Sequence, residues 1–185
     1  MKQTFFEHPE IRLRACEPED LETMYQIEND TTLWDVSYTT VPYSRYALRQ
    51  YLEQSTNDIF SDKQLRLMIT DKNSEEVMGI VDLADFDPLH NRAAAGIVVQ
   101  KAYRQRRIGQ QALQQLLTYT FRFLHLHQLY AYIAIDNQAC LHLFTQCGFT
   151  QSTLLKDWLK SDNGTYKDAY LLQCFNPENQ LREGF

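Results

Sequence analysis

The chain has 185 residues, 44% of them hydrophobic and 23% charged, which is enough for one well-buried domain and too little for two. Its 18 lysines and arginines stand against 24 aspartates and glutamates, and the net charge of −6 makes it a poor electrostatic partner for nucleic acid. No apolar run approaches the roughly 18–20 residues that cross a bilayer, and residues 1–10 lack the apolar core of a signal peptide. We therefore expect a cytoplasmic protein that binds neither nucleic acid nor membrane.

The spacing of the cysteines and histidines points away from a disulfide framework or a metal site. The cysteines are Cys16, Cys140, Cys147 and Cys174. None forms a C-x-x-C pair, and scattered thiols are typical of a reducing cytosol. Cys140 and Cys147 fall two turns apart on one predicted helix face, and without a paired histidine we interpret them as small core residues. His125 and His127 follow a predicted helix end. We interpret them as residues that interact favourably with the negative end of the helix dipole, rather than as metal ligands.

Hydrophobic periodicity and turn residues divide the first half of the chain into strands and two helices. Residues 11–15 alternate apolar and charged side chains, as a strand with one buried face does. Pro18 and the acids after it are typical of a helix start, and Ser44 is a typical N-cap. Residues 30–43 show no regular pattern. The predicted elements are a strand over 11–15, helices over 18–27 and 44–54, and strands over 65–70, 77–86 and 93–99.

The second half predicts a long amphipathic helix, a strand, another helix and a terminal hairpin. The long helix covers 109–124. Its core-facing stripe consists of Ala112, Leu113, Leu116, Leu117, Thr120, Phe121 and Leu124. Gly148 closes the second helix in the C-terminal capping position, and the turn over 161–164 joins the last two strands. The remaining elements are a strand over 129–135, a helix over 137–147, strands over 153–159 and 166–175, and a polar tail over 177–185.

This order of elements predicts a single α/β domain. Each amphipathic helix needs a sheet face on which to bury its apolar side, and the chain shows no internal repeats. We expect a mixed, mostly antiparallel central sheet with helices on both faces. The domain covers residues 1–176, and we expect the tail over 177–185 to fray.

A basic turn between the strand over 93–99 and the long helix is the most informative feature of the chain. Arg104, Arg106 and Arg107 concentrate positive charge there, although the chain is acidic overall. Backbone N–H groups at a helix start have no partner within the helix, and the helix dipole adds partial positive charge beside them. Such a turn can hold a diphosphate. A solvated charge run is the alternative, but the position between a strand and a helix favours the anion site.

Three features in this order resemble the GCN5-related N-acetyltransferase (GNAT) superfamily. They are the strand–turn–helix over 94–124, the motif Asn137-x-x-Cys-x-x-Leu-Phe-x-x-x-Gly-Phe149, and the closing strand pair. The resemblance covers about residues 10–176. Within the superfamily, the chain most resembles the branch of spermidine acetyltransferases and ribosomal-protein N-terminal acetyltransferases. It implies a GNAT-like domain that uses acetyl-CoA as cosubstrate, needs no metal and acetylates a primary amine.

The resemblance assigns cofactor-binding roles to two segments and one asparagine. Arg104-x-x-Arg107-x-Gly109 matches the family's turn pattern, whose backbone amides would bind the pyrophosphate. The strand before the turn would pair with the pantetheine arm as an added strand, and Asn137 would orient the pantetheine or a phosphate region. The implied cofactor residues are Ile97, Val98, Val99, Arg104, Gln105, Arg106, Arg107, Ile108, Gly109, Gln110 and Asn137.

Two positions depart from the family pattern. Arg107 stands where glycine usually lets the backbone approach a phosphate, so we expect altered rather than lost binding. Phe144, which the resemblance places at the thioester end of the cofactor, stands where many members carry a tyrosine that protonates the leaving thiolate. Because phenylalanine has no proton to give, water, Tyr130, Tyr132 or another group must supply it, or the enzyme is slow.

The acceptor is constrained only by charge. A cationic amine needs carboxylates to hold it and a base to deprotonate it. Asp82 and Asp85 lie on one predicted strand and are candidates for both tasks, with a solvated strand face as the alternative. Ala94 and residues 39–41 stand where the polyamine-acetylating relatives carry glutamate. A polyamine such as spermidine is therefore a hypothesis about the acceptor.

Three functions remain open from the sequence. The acceptor is a small polyamine-like molecule or a protein N-terminus, or the chain is a catalytically impaired acyl-CoA-binding regulatory module, as Phe144 suggests. A homo-oligomer is a further implication of the resemblance. The aromatic residues before and within the second helix are interpreted as packing residues, with an acceptor groove as the alternative. They are Trp34, Tyr38, Tyr43 and Tyr46.

Overall fold

The computed structural model describes residue 6 and residues 8–32, 41–161 and 164–180. Several predicted features lie outside these residues. They are Trp34, Tyr38, residues 39–40, residues 162–163 of the last turn and residues 181–185 of the tail.

Helices and strands follow one another in the predicted order. The strands are β1 (Ile11–Ala15), β2 (Leu65–Asp71), β3 (Val77–Asp87), β4 (Arg92–Val99), β5 (Gln128–Ala134), β6 (Thr150–Lys160) and β7 (Tyr166–Phe175). The helices are α1 (Leu21–Glu28), α2 (Arg45–Gln54), α3 (Ile59–Asp62), α4 (Ile108–Arg122), α5 (Gln138–Gln146) and α6 (Pro177–Gln180). Short 3-10 turns over Pro18–Asp20 and Lys101–Tyr103 precede α1 and α4.

The capping signals of the sequence act as predicted. The hydroxyl of Ser44 accepts the N–H of Ala47 at 3.1 Å and so caps α2. Gly148 follows α5 in the left-handed conformation, with φ of +94°, which glycine adopts without a steric penalty. Both helix ends are therefore set by local interactions.

The predicted helix over 18–27 begins later than expected. Pro18 opens a 3-10 turn, and the carboxylate of Asp20 accepts the N–H of Glu17 at 2.8 Å while it pairs with Arg14 at 2.6 Å. These bonds hold the first turn in the tighter form, so regular α-helix starts only at Leu21.

Two further differences have local causes. The short helix α3, missed in the sequence, depends on Asp58, whose carboxylate accepts the N–H groups of Phe60 and Ser61 at 3.2 Å each. A helix of one turn carries no periodic signal. The tail also begins with α6 rather than fraying at Pro177, because buried Asn176 accepts the N–H of Glu178 at 3.0 Å.

The seven strands form one sheet in the order β1-β2-β3-β4-β5-β7-β6. All neighbouring pairs are antiparallel except β4 and β5, which run parallel. The predicted class, a mixed and mostly antiparallel sheet in a single α/β domain, is therefore confirmed.

Helices cover both faces of the sheet. On one face α4 and α5 enclose the larger core, in which Leu113 and Leu116 are fully buried. On the other face α1 and α2 pack on β2 and β3 through a smaller core that includes Met24, Met68 and Ile80. The residue alternation along each strand divides its side chains between these two cores.

The predicted stripe of α4 is largely buried, which is why this helix lies flat on the sheet. Ala112 and Thr120 are fully buried with the central leucines, while Leu117 and Leu124 are half-buried at the margin. The opposite side of α4 is polar. No helix in the described part of the chain is both long enough and apolar enough to cross a membrane.

Candidate functional site

The parallel pair β4–β5 separates after three residue pairs. The pairs are Arg92–Gln128, Ala93–Leu129 and Ala94–Tyr130. Beyond them β4 stays paired with β3 as far as Val99, but its other edge opens into a split. Gln100 donates its N–H to the carbonyl of Met78 on β3 at 2.9 Å. Because backbone groups alternate sides along a strand, those of Ile97 and Val99 face the split.

A cavity of about 680 Å³ lies beside this split, between the end of β4, the basic turn and α5. That volume is typical of small-molecule sites. The predicted residues that line it are Ile97, Val98, Val99, Arg104, Gln105, Arg107, Ile108, Gly109, Gln110 and Asn137. Arg106 is the exception among the predicted cofactor residues, because its guanidinium lies 5.7 Å from the ring centroid of Tyr103 instead. The fold therefore brings three separate segments of the chain to one cavity.

Residues that sequence reasoning did not assign to the site also line the cavity. They are Thr32, Tyr103, Ala139, Cys140, His142, Leu143 and Gln146. Five of these lie on α5, and their spacing of three and four residues after Asn137 marks one helix face, a signal that the sequence does contain. Thr32, which follows α1, carries no such signal because only the tertiary fold brings it near the turn.

The backbone amides of residues 105–110 lie in the turn before α4 and in its first residues, next to the cavity. Within the described chain no group accepts from any of them, and the first helical bond runs from the N–H of Gln111 to the carbonyl of Arg107 at 3.0 Å. Gln105 and Arg107 adopt left-handed conformations with φ of +61° and +60°. When left-handed residues alternate with right-handed ones before a helix start, successive N–H groups point into one concave surface. Surfaces of this kind bind anions.

Arg107 occupies a backbone conformation that glycine adopts freely. As the N-cap of α4 it has φ of +60° and ψ of 8°, and its side chain makes no capping bond. A side chain in this conformation costs about 1–2 kcal/mol. The structure thus explains why related turns carry glycine here, and it shows that the turn keeps its shape with arginine.

The charges around the turn affect a neighbouring acid. Arg104 donates its Nε–H to the carbonyl of Val99 at 3.0 Å, which ties the turn to the end of β4. The pKa of Asp30 lies below its ordinary value, mainly because the hydroxyl and N–H of Thr32 donate to its carboxylate at 2.7 and 3.0 Å. The positive charges of Arg104 and Lys101 lower that pKa further. Arg104 thus brings a positive charge to this end of the cavity.

Asn137 has a structural role as well as a place in the cavity lining. Its side-chain oxygen accepts the N–H of Cys140 at 3.2 Å and caps α5. The cap fixes the first turn of α5 beside the cavity. Its predicted contact with the cofactor stays a prediction.

The side chain of Phe144 lies in the core and not in the cavity lining. It is 1% exposed and packs edge-on against Phe149, with ring centroids 4.9 Å apart. Leu141 and Phe144 share the face of α5 that is buried against the sheet, while Leu143 lies on the face that lines the cavity. Phe144 is therefore not part of the cavity lining, whereas its expected place at the thioester end of the cofactor and its role in catalysis stay predictions.

The thiols near the cavity are not activated. Burial raises the pKa of Cys140 to about 12 and that of Cys147 to about 11. Both side chains are half-buried and pack against the larger core, in line with the interpretation that they are small core residues.

His125 lies just after α4 with φ of +54°. No cluster of three or more potential metal ligands occurs among the described residues.

The two candidate carboxylates lie in different surroundings. Asp82 accepts two bonds from Arg66, from Nε to Oδ1 at 2.8 Å and from Nη2 to Oδ2 at 3.3 Å. The same guanidinium pairs through Nη1 with Glu28 of α1. Asp85 is exposed and has φ of +50° within an irregularity of the β3–β4 pairing. The structure therefore fixes the geometry of Asp82 alone.

The network of Glu28, Arg66 and Asp82 carries one net negative charge on the sheet face that α1 and α2 cover in part. Burial would lower the pKa of Arg66, but the charges of Asp82 and Glu28 prevail and hold it above its ordinary value. The guanidinium therefore stays charged. Burial also raises the pKa of the neighbouring Tyr51 to about 12, so its phenol stays protonated at neutral pH.

Comparisons with known proteins agree with this geometry. The protein-family model for the acetyltransferase (GNAT) domain matches residues 10–150 of this chain. The chain is similar to a spermidine N(1)-acetyltransferase from Vibrio cholerae serotype O1, with 25% identity over 167 residues that cover 89% of this chain and 94% of that protein.

Solved structures share the fold at low sequence identity. The spermidine N-acetyltransferase from Vibrio cholerae in complex with CoA and spermine has a TM-score of 0.80 and 23% identity, over 91% of this chain and 97% of that chain. A dodecameric structure of a spermidine N-acetyltransferase from Vibrio cholerae has a TM-score of 0.77 and 22% identity, over 95% of this chain and 99% of that chain. Both likenesses support the sheet order and the split described above.

Proposed function

The chain belongs to the GNAT acetyltransferase family, and we propose that the primary amine it acetylates is that of a small polycationic molecule such as spermidine. The observation that carries the acetyl-CoA part of this proposal is the set of amides of residues 105–110 beside the β4–β5 split, for which no acceptor occurs among the described residues. They supply a site for the diphosphate of acetyl-CoA next to a strand edge that can accept an extended chain.

The cavity fits acetyl-CoA as cosubstrate. The diphosphate would accept bonds from the amides of 105–110, with Arg104 and Arg107 supplying positive charge. The backbone edge of β4 at Ile97 would bond the pantetheine arm, since the carbonyl of Val99 already accepts from Arg104. Every polar group invoked here is a backbone group or a permanently charged side chain, so the site does not depend on pH between about 5 and 9.

The reaction transfers the acetyl group by direct attack. The neutral amine nitrogen attacks the thioester carbonyl carbon, a C–N bond forms and the C–S bond breaks. The amine loses one proton, and CoA leaves as a thiolate that takes one up. A backbone N–H on the split edge of β4 would hold the oxyanion that develops on the carbonyl oxygen.

Charge and similarity both support a small cationic acceptor. The chain is acidic overall, and Asp82 with Glu28 leaves one net negative charge on the sheet face next to the split. The similar protein from Vibrio cholerae acts on spermidine. A peptide N-terminus is the alternative acceptor, and an assay with both kinds of amine separates the two.

Phe144 supports a second candidate function, a regulatory module that binds acyl-CoA without turnover. No phenol stands at this position to protonate the thiolate, and the ring is buried. If a missing proton donor limits the rate, Phe144→Tyr should raise kcat and leave the KM for acetyl-CoA unchanged. An unchanged kcat would show that another donor, such as water, already serves.

The decisive experiment measures thiol release from acetyl-CoA with spermidine, spermine, an aminoglycoside and an N-terminal peptide, and detects the acetylated product by mass spectrometry. We expect turnover with a polyamine and none without an amine. Gly109→Glu is the matched negative control, because it places a carboxylate in the cavity where the diphosphate would bind, against the flexible end of Leu143. Tight CoA binding without turnover of any amine would leave the regulatory module as the function. Turnover of the peptide alone would exclude the small acceptor.

A further inference from the structure

A row of side chains crosses the sheet next to the split, on the face opposite α4. In the register of the sheet, Asp82 of β3 lies opposite Gly96 of β4, and Ala94 of β4 lies opposite Tyr130 of β5. Residues opposite each other in neighbouring strands point to the same face, as do residues two apart within one strand. Asp82 and Tyr132 therefore face the same side of the sheet, with β4 and the split between them.

The strand between them presents only small residues to this face. Ala94 and Gly96 are both half-buried, so the surface above them is accessible. A Cβ atom at Gly96 would lie 3.8 Å from the Cβ of Asp82 and meet nothing closer. β4 thus forms the floor of a trough, which we call the acceptor trough, with Asp82 on one side and the side chains of β5 on the other.

Aromatic rings form the β5 side of the acceptor trough. The ring centroids of Tyr130 and Tyr132 are 5.5 Å apart, and those of Tyr132 and Trp158 are 5.4 Å apart. Trp158 is 50% exposed, although a tryptophan that serves only for packing is mostly covered. The three rings therefore form one continuous wall whose outer member is open to solvent.

The backbone of β6 is distorted where it presents Trp158. Pairing with β7 is irregular between Leu155 and Leu159, and Asp157 has φ of +49°. The N–H of Asp157 donates to the carboxylate of Asp168 at 2.8 Å and holds this distortion. Bulges in edge strands re-aim side chains, and strained non-glycine residues cluster at functional sites. The distortion directs Trp158 to Tyr132.

The opposite side of the trough is acidic. Asp82 and Glu28 both pair with the guanidinium of Arg66, which places two carboxylates beside one cation. The side chain of Asp82 is 26% exposed and reaches solvent at the trough. An acidic wall facing an aromatic wall across a small floor suits an ammonium group on an alkyl chain, because the chain covers the rings and the charge meets both the carboxylate and the π faces.

We infer that Trp158, together with Tyr132, binds the alkylammonium part of the acceptor and so sets the acceptor preference of this enzyme. The inference rests on the proposed function, because it assigns a wall of the acceptor site to a cationic amine. Trp158 acts in binding and takes no part in acetyl transfer itself.

The test compares Trp158→Ala and Trp158→Phe with Tyr166→Ala. Tyr166 is 59% exposed on the same hairpin but belongs to the other face of the sheet, opposite Lys160. For the amine that the wild type acetylates, we expect Trp158→Ala to raise KM about three- to tenfold. Trp158→Phe should restore most of the affinity, and Tyr166→Ala should change nothing. The KM for acetyl-CoA should stay constant in all three variants.

A binding measurement keeps the inference separate from the proposed function. The chain has two tryptophans, so the fluorescence difference between the wild type and Trp158→Phe isolates Trp158. Titration with spermidine should change this signal even if no amine is acetylated, in which case only the proposed function fails. The inference would be overturned if spermidine left this fluorescence difference unchanged and Trp158→Ala left the KM for the amine unchanged. A smaller molecular mass of Trp158→Ala in light scattering would also overturn it, because the wall would then be an interface between copies of the chain.

Discussion

The two sides of the β4–β5 split offer different parts of the polypeptide to the proposed ligands. On the proposed cofactor side these are main-chain groups, the amides of 105–110 and the open edge of β4 at Ile97. On the proposed acceptor side they are the side chains of Asp82, Tyr132 and Trp158. One side therefore depends on backbone conformation, and the other depends on residue identity.

This difference explains what similarity to other proteins reveals. A backbone site survives most substitutions, as Arg107 shows by keeping the left-handed turn that glycine would adopt more easily. A side-chain site changes with each substitution. Relatives of about 25% identity consequently identify the cosubstrate, whereas the acceptor must be inferred from this chain's own residues.

The largest expected effect comes from Gly79 of β3, which packs against the end of β4 that lines the cavity. A Cβ atom at Gly79 would lie 2.2 Å from the carbonyl oxygen of Val98, a backbone atom that cannot move away alone. Gly79→Ala should lower the free energy of unfolding by about 3 kcal/mol and raise the KM for acetyl-CoA, because it displaces β4. Urea unfolding and steady-state kinetics measure both effects.

Gly96→Ala is the matched control, since its Cβ would make an ordinary contact at 3.8 Å with Asp82. It should unfold within about 0.5 kcal/mol of the wild type and raise only the KM for the amine. Equal destabilisation by both substitutions would show that backbone crowding does not distinguish the two sides.

The second effect concerns the charges on the acceptor side. Arg66→Met removes the cation that holds Asp82 and Glu28, and should cost about 2 kcal/mol at pH 7 because the network is only partly buried. Without the guanidinium, each carboxylate loses a charge-assisted hydrogen bond and the two like charges are no longer screened from each other.

Urea denaturation at pH 7 measures this loss of stability. Arg45→Met provides the control, because its pair with Glu22 is more than half exposed and should contribute less than about 1 kcal/mol. A loss in Arg66→Met no larger than that in Arg45→Met would contradict the assigned network.

The third effect separates two neighbouring arginines of the basic turn. Arg104 lines the cavity, whereas Arg106 lies against Tyr103. Arg104→Ala should raise the KM for acetyl-CoA about tenfold through the loss of a charge-assisted phosphate contact, with kcat unchanged. Arg106→Ala should change this KM less than about twofold. Equal effects would indicate that the turn acts only through its overall charge.

The smallest effect tests how far the turn depends on its backbone alone. Arg107 has φ of +60°. The free energy of unfolding of Arg107→Gly should therefore exceed that of Arg107→Ala by about 1 kcal/mol. Both substitutions remove the same charge, so Arg107→Gly and Arg107→Ala should share one KM for acetyl-CoA. A difference in KM without a difference in stability would show that the left-handed conformation is not what the turn requires.

The sequence predicted the element order, the caps at Ser44 and Gly148 and the cavity residues of the basic turn because each depends on neighbours within a few positions. Helix periodicity, capping and turn conformation are local properties. The sequence did not show the single-turn helix α3, and it indicated the cavity-lining face of α5 only as a helical spacing that pointed to no partner.

What the sequence determined by itself is therefore the order of the elements and the basic turn at the start of α4, since a helix N-terminus and a strained turn need no distant partner. Only the tertiary structure decided which face of α5 is buried and therefore that Phe144 is not in the cavity lining. It alone also placed Asp82 and Trp158 on one face of the sheet, through strand register. Register and helix rotation follow from burying apolar faces against elements that lie far away in the chain, and no local pattern encodes the partner.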